Sequence, residues 1–201
     1  EHEGVRRHDD GWVAPAFADT NTDRIEVDAE LPDTCLVGPP GFYLARPGFW
    51  YGAVGVAACW AGGSAALSDA LERSKRDDVH THVARGRARA AVWNLRTMLR
   101  SAAEEIDSGH LDEDAEADAR ACLALTVRHL VDQTVTELIT TVTRALGPGP
   151  MAHDPELAQR LGELQLYVRQ SHAERDLEAL GRGPAPRAVS PVAPGRSRTG
   201  G

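Results

Sequence analysis

Between about residues 77 and 146 the apolar side chains recur every three or four positions, the spacing of one face of an α-helix. One stripe runs Val83, Ala88, Val92, Leu95, Leu99, Ala102 and Ile106 along 77–108. A second runs Leu123, Val127, Val131, Val135, Leu138, Val142 and Leu146 along 111–146. Both segments open on acids, Asp77-Asp78 and Asp112-Glu-Asp114, which suit the positive end of a helix dipole. Upstream, 47–74 begins on Pro47, whose missing N–H costs nothing at a helix start. Its middle, Gly52 to Leu67, is apolar or small on every face, as expected of a helix enclosed by partners. Glycines there cost about 1 kcal/mol each relative to alanine, normally offset by close helix approach. Downstream, 154–180 opens with Asp154 as N-cap, Pro155 at the first helical position and Glu156 after it. Asp107-Ser-Gly109 and Gly147-Pro-Gly-Pro150 separate the segments. Long helices joined by short turns must run antiparallel, so the pattern predicts a mainly α fold, an up-down-up-down four-helix bundle.

The ends follow other rules. Gly11 to Phe17 and Arg24 to Leu31 read as two short strands, the second with alternating apolar positions. Two strands are marginal alone, so they predict the edge of a larger sheet, a short β remnant ahead of the bundle. From Leu36 to Tyr51 glycines, prolines and aromatics mix, the composition of a structured connection with apolar area to bury. Beyond residue 181 only Pro, Gly and Arg without periodicity remain, and a disordered tail is expected. The division is therefore 1–46 for the β remnant and connection, 47–181 for the bundle and 182–201 for the tail.

Composition narrows the function classes. The 22 basic and 30 acidic residues give a formal net charge of −8, which argues against a nucleic-acid partner. Cys35, Cys59 and Cys122 form no Cys-x-x-Cys pair and are odd in number, so neither a disulfide framework nor a zinc site is indicated and a cytoplasmic setting is expected. The apolar run Ala53–Leu67 falls short of the roughly twenty residues of a bilayer crossing, so no membrane span is expected. The chain opens on Glu1 with no apolar signal core, and an upstream portion is expected.

His80 and His82 point to different faces of one helix and no helical Glu-x-x-His pair occurs, so no metal site is predicted. His129 reads as a hydrogen-bonded core or edge histidine, and His8, His110 and His153 as solvated surface. On the fourth helix Arg169, His172 and Asp176 recur at intervals of three and four and share a face. Asp176 there orients His172 as a base or pairs with Arg169, and the same trio also fits a salt-bridged solvent face. Gly147-Pro-Gly149 exposes bare backbone ahead of a helix, a setting for a phosphate or adenosine group that a plain interhelical turn would share.

Three runs together resemble the C-terminal half of the acyl-CoA dehydrogenase superfamily: Val37–Gly63 with its Phe-Tyr-Leu-Ala-Arg-Pro-Gly-Phe-Trp-Tyr core, Ala145–Pro150 ahead of Asp154-Pro155, and Leu166–Leu177. The resemblance covers about residues 11–181. It implies an enzyme of N-terminal helical, middle β and C-terminal bundle parts, oligomeric around FAD and acting on an acyl-CoA thioester. This chain would hold the end of the β part and the bundle, with another portion or chain supplying the N-terminal domains. Gly147 and Gly149 match a loop near the adenosine of FAD, Pro148 departing from it. Ser171 is expected as a further cofactor contact, and the family's flavin-contacting arginine motif is replaced by Arg73-Ser-Lys-Arg-Asp-Asp78, in which Arg73 or Arg76 is expected to stand in. The family's catalytic glutamate follows a tyrosine, yet Tyr167 is followed by Val168, which leaves His172 or Glu174 as the substitute base. Some relatives use reduced flavin and oxygen for hydroxylation, and a histidine in the last helix would suit that branch. A non-catalytic scaffold for flavin binding and oligomerisation is the alternative.

Overall fold

The computed structural model describes residues 3–9, 11–20, 22–109 and 117–183. It is mainly helical, with a two-stranded antiparallel sheet ahead of the helices. Strand β1 (Val5–His8) pairs with β2 (Arg24–Val27) in the register Val5↔Val27 to His8↔Arg24. The second strand lies where its alternation placed it, but the first precedes the stretch expected to hold it. Residues 11–17 are a turn instead, closed by the Trp12 indole N–H donating to the Ala16 carbonyl at 2.9 Å. Ile25 and Val27 remain 64% and 58% exposed, so the bundle does not cover this hairpin's apolar side chains.

The aromatic connection condenses into α1 (Phe42–Ala45), with the Arg46 guanidinium 4.1 Å over the Tyr43 ring, and leads directly into α2 (Pro47–Glu72). Helix α2 buries one face through Val54, Ala57, Trp60, Ala61, Ser64, Leu67, Ser68 and Leu71. Enclosure on all sides does not occur: Gly52, Gly55, Cys59 and Gly62 face outward, and at these three glycines a Cβ would meet nothing within 4 Å. Close approach is confined to Gly63, where a Cβ would lie 3.1 Å from Leu164 Cδ1. By length and composition Gly48–Glu72 qualifies as a membrane-crossing helix, with 44% of its most apolar window buried inside the protein. Its packing against four other helices, α1 among them, also fits the core helix of a soluble protein.

Helix α3 (Val79–Asp107) starts at the cap Asp78, whose carboxylate accepts from the His80 and Thr81 backbone N–H groups. Helix α4 (Ala117–Leu146) is central and touches α2, α3 and the last helices through Val127, Val131, Val135, Leu138 and Val142. Residues 111–116, expected at the start of this helix, lie outside the described residues, as do His110 and the tail from 184 onward. The chain breaks at Gly147, whose φ of 72° favours glycine, and resumes at once as α5 (Pro148–His153). The run Gly147–Pro150, expected as a plain break, is thus a one-residue break followed by a short helix, because Pro148 fits a first helical position.

The expected single fourth helix is two. Helix α6 (Pro155–Val168) carries the Asp154 cap, bonded to Leu157 N–H at 3.0 Å, and packs Leu157, Leu161, Leu164 and Val168 into the core. It stops at Arg169, and α7 (Glu174–Arg182) follows after a turn in which Ala173 has φ 45°.

Candidate functional site

The turn joining α6 to α7 is built by arginines that the bundle itself holds. Arg128, half-buried on α4, lays its guanidinium 4.7 Å over the Trp60 ring and donates to the Gln170 carbonyl at 2.9 Å. Burial lowers its pKa, an effect opposed by the charges of Asp176 and Asp132. Arg169 donates to Asp132 Oδ1 at 3.0 Å and to Thr136 Oγ1 at 2.6 Å. The last carbonyls of α6 accept from the backbone in tightened bonds, Leu166 from Arg169 N–H, Tyr167 from Gln170 N–H and Val168 from Ser171 N–H, and the helix ends without a glycine or proline.

Asp176 receives two bonds from His172, one from its backbone N–H at 3.3 Å and one from ring Nδ1 at 3.2 Å. A carboxylate only accepts, so the ring donates from Nδ1 and Nε2 faces away from this bond. The structure therefore brings His172 and Asp176 together while separating Arg169 from both, because the face expected on one continuous helix does not exist. Arg169 pairs with Asp132 instead. Glu174 is exposed as the first residue of α7, and the Ser171 hydroxyl accepts from the Ala173 N–H at 3.4 Å. Under this turn Tyr167 meets the Trp60 and Phe17 rings edge-on at 6.1 and 5.8 Å. Burial first, and then the Cys59 thiol, raise its phenol pKa.

The second group lies at the other end of α4. Arg76, in the connection between α2 and α3, donates from Nη1 to the Ala145 carbonyl at 2.7 Å. A Cβ on Gly147 would sit 3.7 Å from its Nη2. Thr143, Arg144, Gly147 and Met151 line an open groove of about 630 Å³ beside this corner. At Thr143 it meets a second groove of about 460 Å³ that runs between Thr136, Gln165 and Arg169. Arg73 is the exposed C-cap of α2, and Gly149 lies within α5 with open space around it.

The candidate residues thus fall into two groups. Arg128, which anchors the α6–α7 turn, and Leu146, which precedes the Arg76 corner, are eighteen residues apart on α4, or roughly 27 Å at 1.5 Å per residue. His8 bonds Glu26 at 3.1 Å, His82 bonds Asp77 at 2.8 Å, and His129 is half-buried on α4. Among the described residues no three His, Cys, Asp or Glu side chains are grouped to hold a metal ion.

Sequence reasoning missed Arg128, Asp132 and Trp60. Arg128, Asp132 and Thr136 stand four residues apart, a polar ladder along an otherwise apolar helix, and that spacing was the available signal. No family model, curated protein or solved structure matches this chain.

Proposed function

We propose that this chain is the C-terminal bundle of a FAD-dependent, acyl-CoA dehydrogenase-like oxidoreductase and works within an oligomer. One observation carries the reading: Arg76 and Gly147, which the one resemblance gives as flavin contacts, Arg76 as an alternative to Arg73, meet at one corner of the bundle although 71 positions separate them. The donor set fits the phosphate end of a dinucleotide. Arg76 is positioned by the Ala145 carbonyl through Nη1, and its remaining N–H groups, beside a glycine turn, offer charge-assisted donors to an anion. The flavin-ring end fits less well, since His172 and Glu174 are exposed and neither lines either of the two grooves described. Surfaces from another copy or chain complete the site in this reading, and the span between the two groups lets them serve different cofactors of an assembly.

The chemistry implied is removal of an acyl α-proton with hydride passing from the β-carbon to the flavin. His172 takes the proton at Nε2, and Asp176, bonded to Nδ1, orients the ring. Glu174, one position from the cap of α7, is the second candidate base. The test is flavin bleaching by acyl-CoA thioesters under anaerobic conditions in the assembled protein. His172→Ala should slow it by about 10²-fold or more while flavin stays bound. Unchanged bleaching in both His172→Ala and Glu174→Ala would remove the catalytic assignment.

The scaffold reading is favoured by Val168, which follows Tyr167 where the family places its base and is 1% exposed in the core. In that case the bundle contributes flavin contacts and an interface, and bound flavin is not bleached by any acyl-CoA.

A further inference from the structure

Helix α3 is amphipathic twice over. Thr81, Ala84, Ala88, Leu95 and Ala102 face the core. On the opposite side Val79, Val83, Gly86, Ala90, Trp93 and Thr97 follow at three- and four-residue spacing, all exposed. Val79 is 73%, Val83 50% and Trp93 69% exposed. Arg87 flanks this outer stripe on one side and Arg96 and Arg100 on the other, as their helical spacing dictates. All three are exposed. From Val79 to Ala103 the chain carries five arginines and no acid, in a protein whose formal net charge is −8.

Among the described residues, two acids from the segments ahead of α3 are already matched. Glu72 bonds Arg89 through both oxygens, at 2.8 and 2.9 Å, and Asp77 bonds His82. Glu104, Glu105 and Asp107 lie beyond the stripe, at the C-terminal end of the helix. The outer face is thus a basic strip with an apolar centre line, about 32 Å long from Val79 to Arg100 at 1.5 Å per residue.

We propose that this face lays α3 along an anionic lipid surface, with Trp93, Val79 and Val83 entering the headgroup boundary and Arg87, Arg96 and Arg100 meeting lipid phosphates. Charge complementarity selects the partner's sign, and shape selects its kind. A single projecting helix face matches a plane, and a tryptophan between arginines is the usual composition of an interfacial helix. The net negative charge does not prevent this, because exposed charges act over a Debye length of about 8 Å at physiological salt. Binding of this sort is peripheral and places no helix across the bilayer. It does not depend on flavin.

The test is titration of the full chain with vesicles of phosphatidylcholine alone and of phosphatidylcholine with phosphatidylserine, read by sedimentation and by tryptophan fluorescence. Expected are binding to the anionic vesicles only, a blue shift lost in Trp93→Ala, and weakening by salt. Replacing Arg87, Arg96 and Arg100 together with alanine should reduce binding on the order of hundredfold. These positions are exposed, so circular dichroism should show the helix content of all variants unchanged. No binding to anionic vesicles, equal binding by the variants, or preference for an acidic polypeptide such as polyglutamate over the vesicles would overturn the assignment, the last by giving the face to a protein partner.

Discussion

Asp78 makes the acid response of the bundle readable at one residue. Its carboxylate accepts from the Thr81 N–H and hydroxyl and from the His80 N–H, and the Thr81 N–H is the largest cause of its lowered pKa. A carboxyl whose folded pKa lies below its unfolded value stabilises the fold fully above the unfolded value and loses that contribution as pH falls through the folded one. Urea unfolding followed from about pH 5 downward should therefore show stability falling below roughly pH 4, near the ordinary aspartate value, and Asp78→Asn should flatten that slope. At the α6–α7 turn Ala173 holds φ 45°, where a Cβ is strained. Ala173→Gly should raise stability by about 1 kcal/mol in the same assay, and a loss would mean that the turn is not strained there. Residue chemistry of this kind was partly legible. The Asp154 cap follows from local spacing; His172 and Asp176 do pair, but across the start of α7 and not on the continuous helix face expected, and the partner of Arg169 lies 37 positions away.

At the scale of elements, α3 and α4 lie where their three- and four-residue stripes placed them, except that Val83, expected in the core stripe of α3, is 50% exposed on the outer face while Thr81 and Ala84 face the core. A helix that buries one face must repeat that face in its sequence. The fourth helix was misjudged for the opposite reason. It closes at Arg169 in tightened backbone bonds, and the turn that follows is held by Arg128 at the Gln170 carbonyl and by Arg169 at Asp132 and Thr136, bonds between elements that leave no glycine or proline behind. The first helix shows a third case. Its small residues are compatible with burial on every side, yet one face is outward, so Gly55 gains nothing from close approach in this chain. Gly55→Ala should stabilise the protein by roughly 0.5–1 kcal/mol in thermal unfolding. Gly63→Ala should gain less or lose, since its Cβ would press on Leu164.

For the whole molecule, the bundle follows from periodicity and the function does not, because a site assembled at an edge is written in residues far apart in the chain. The Arg76 corner needs the α2–α3 connection and the end of α4 to meet, and the His172 turn needs α4 to hold α6 and α7. Both groups are open to solvent, consistent with sites completed by another copy or chain. Under the proposed function, cofactor affinity would be sensitive to the corner and turnover to the turn. The most direct measurement is fluorescence titration of the assembled protein with FAD, comparing wild type with Arg76→Ala. The account predicts saturable FAD binding whose Kd rises about tenfold or more in the variant, as expected for loss of a charge-assisted contact to phosphate. Absence of saturable binding, or an unchanged Kd in Arg76→Ala, would contradict it.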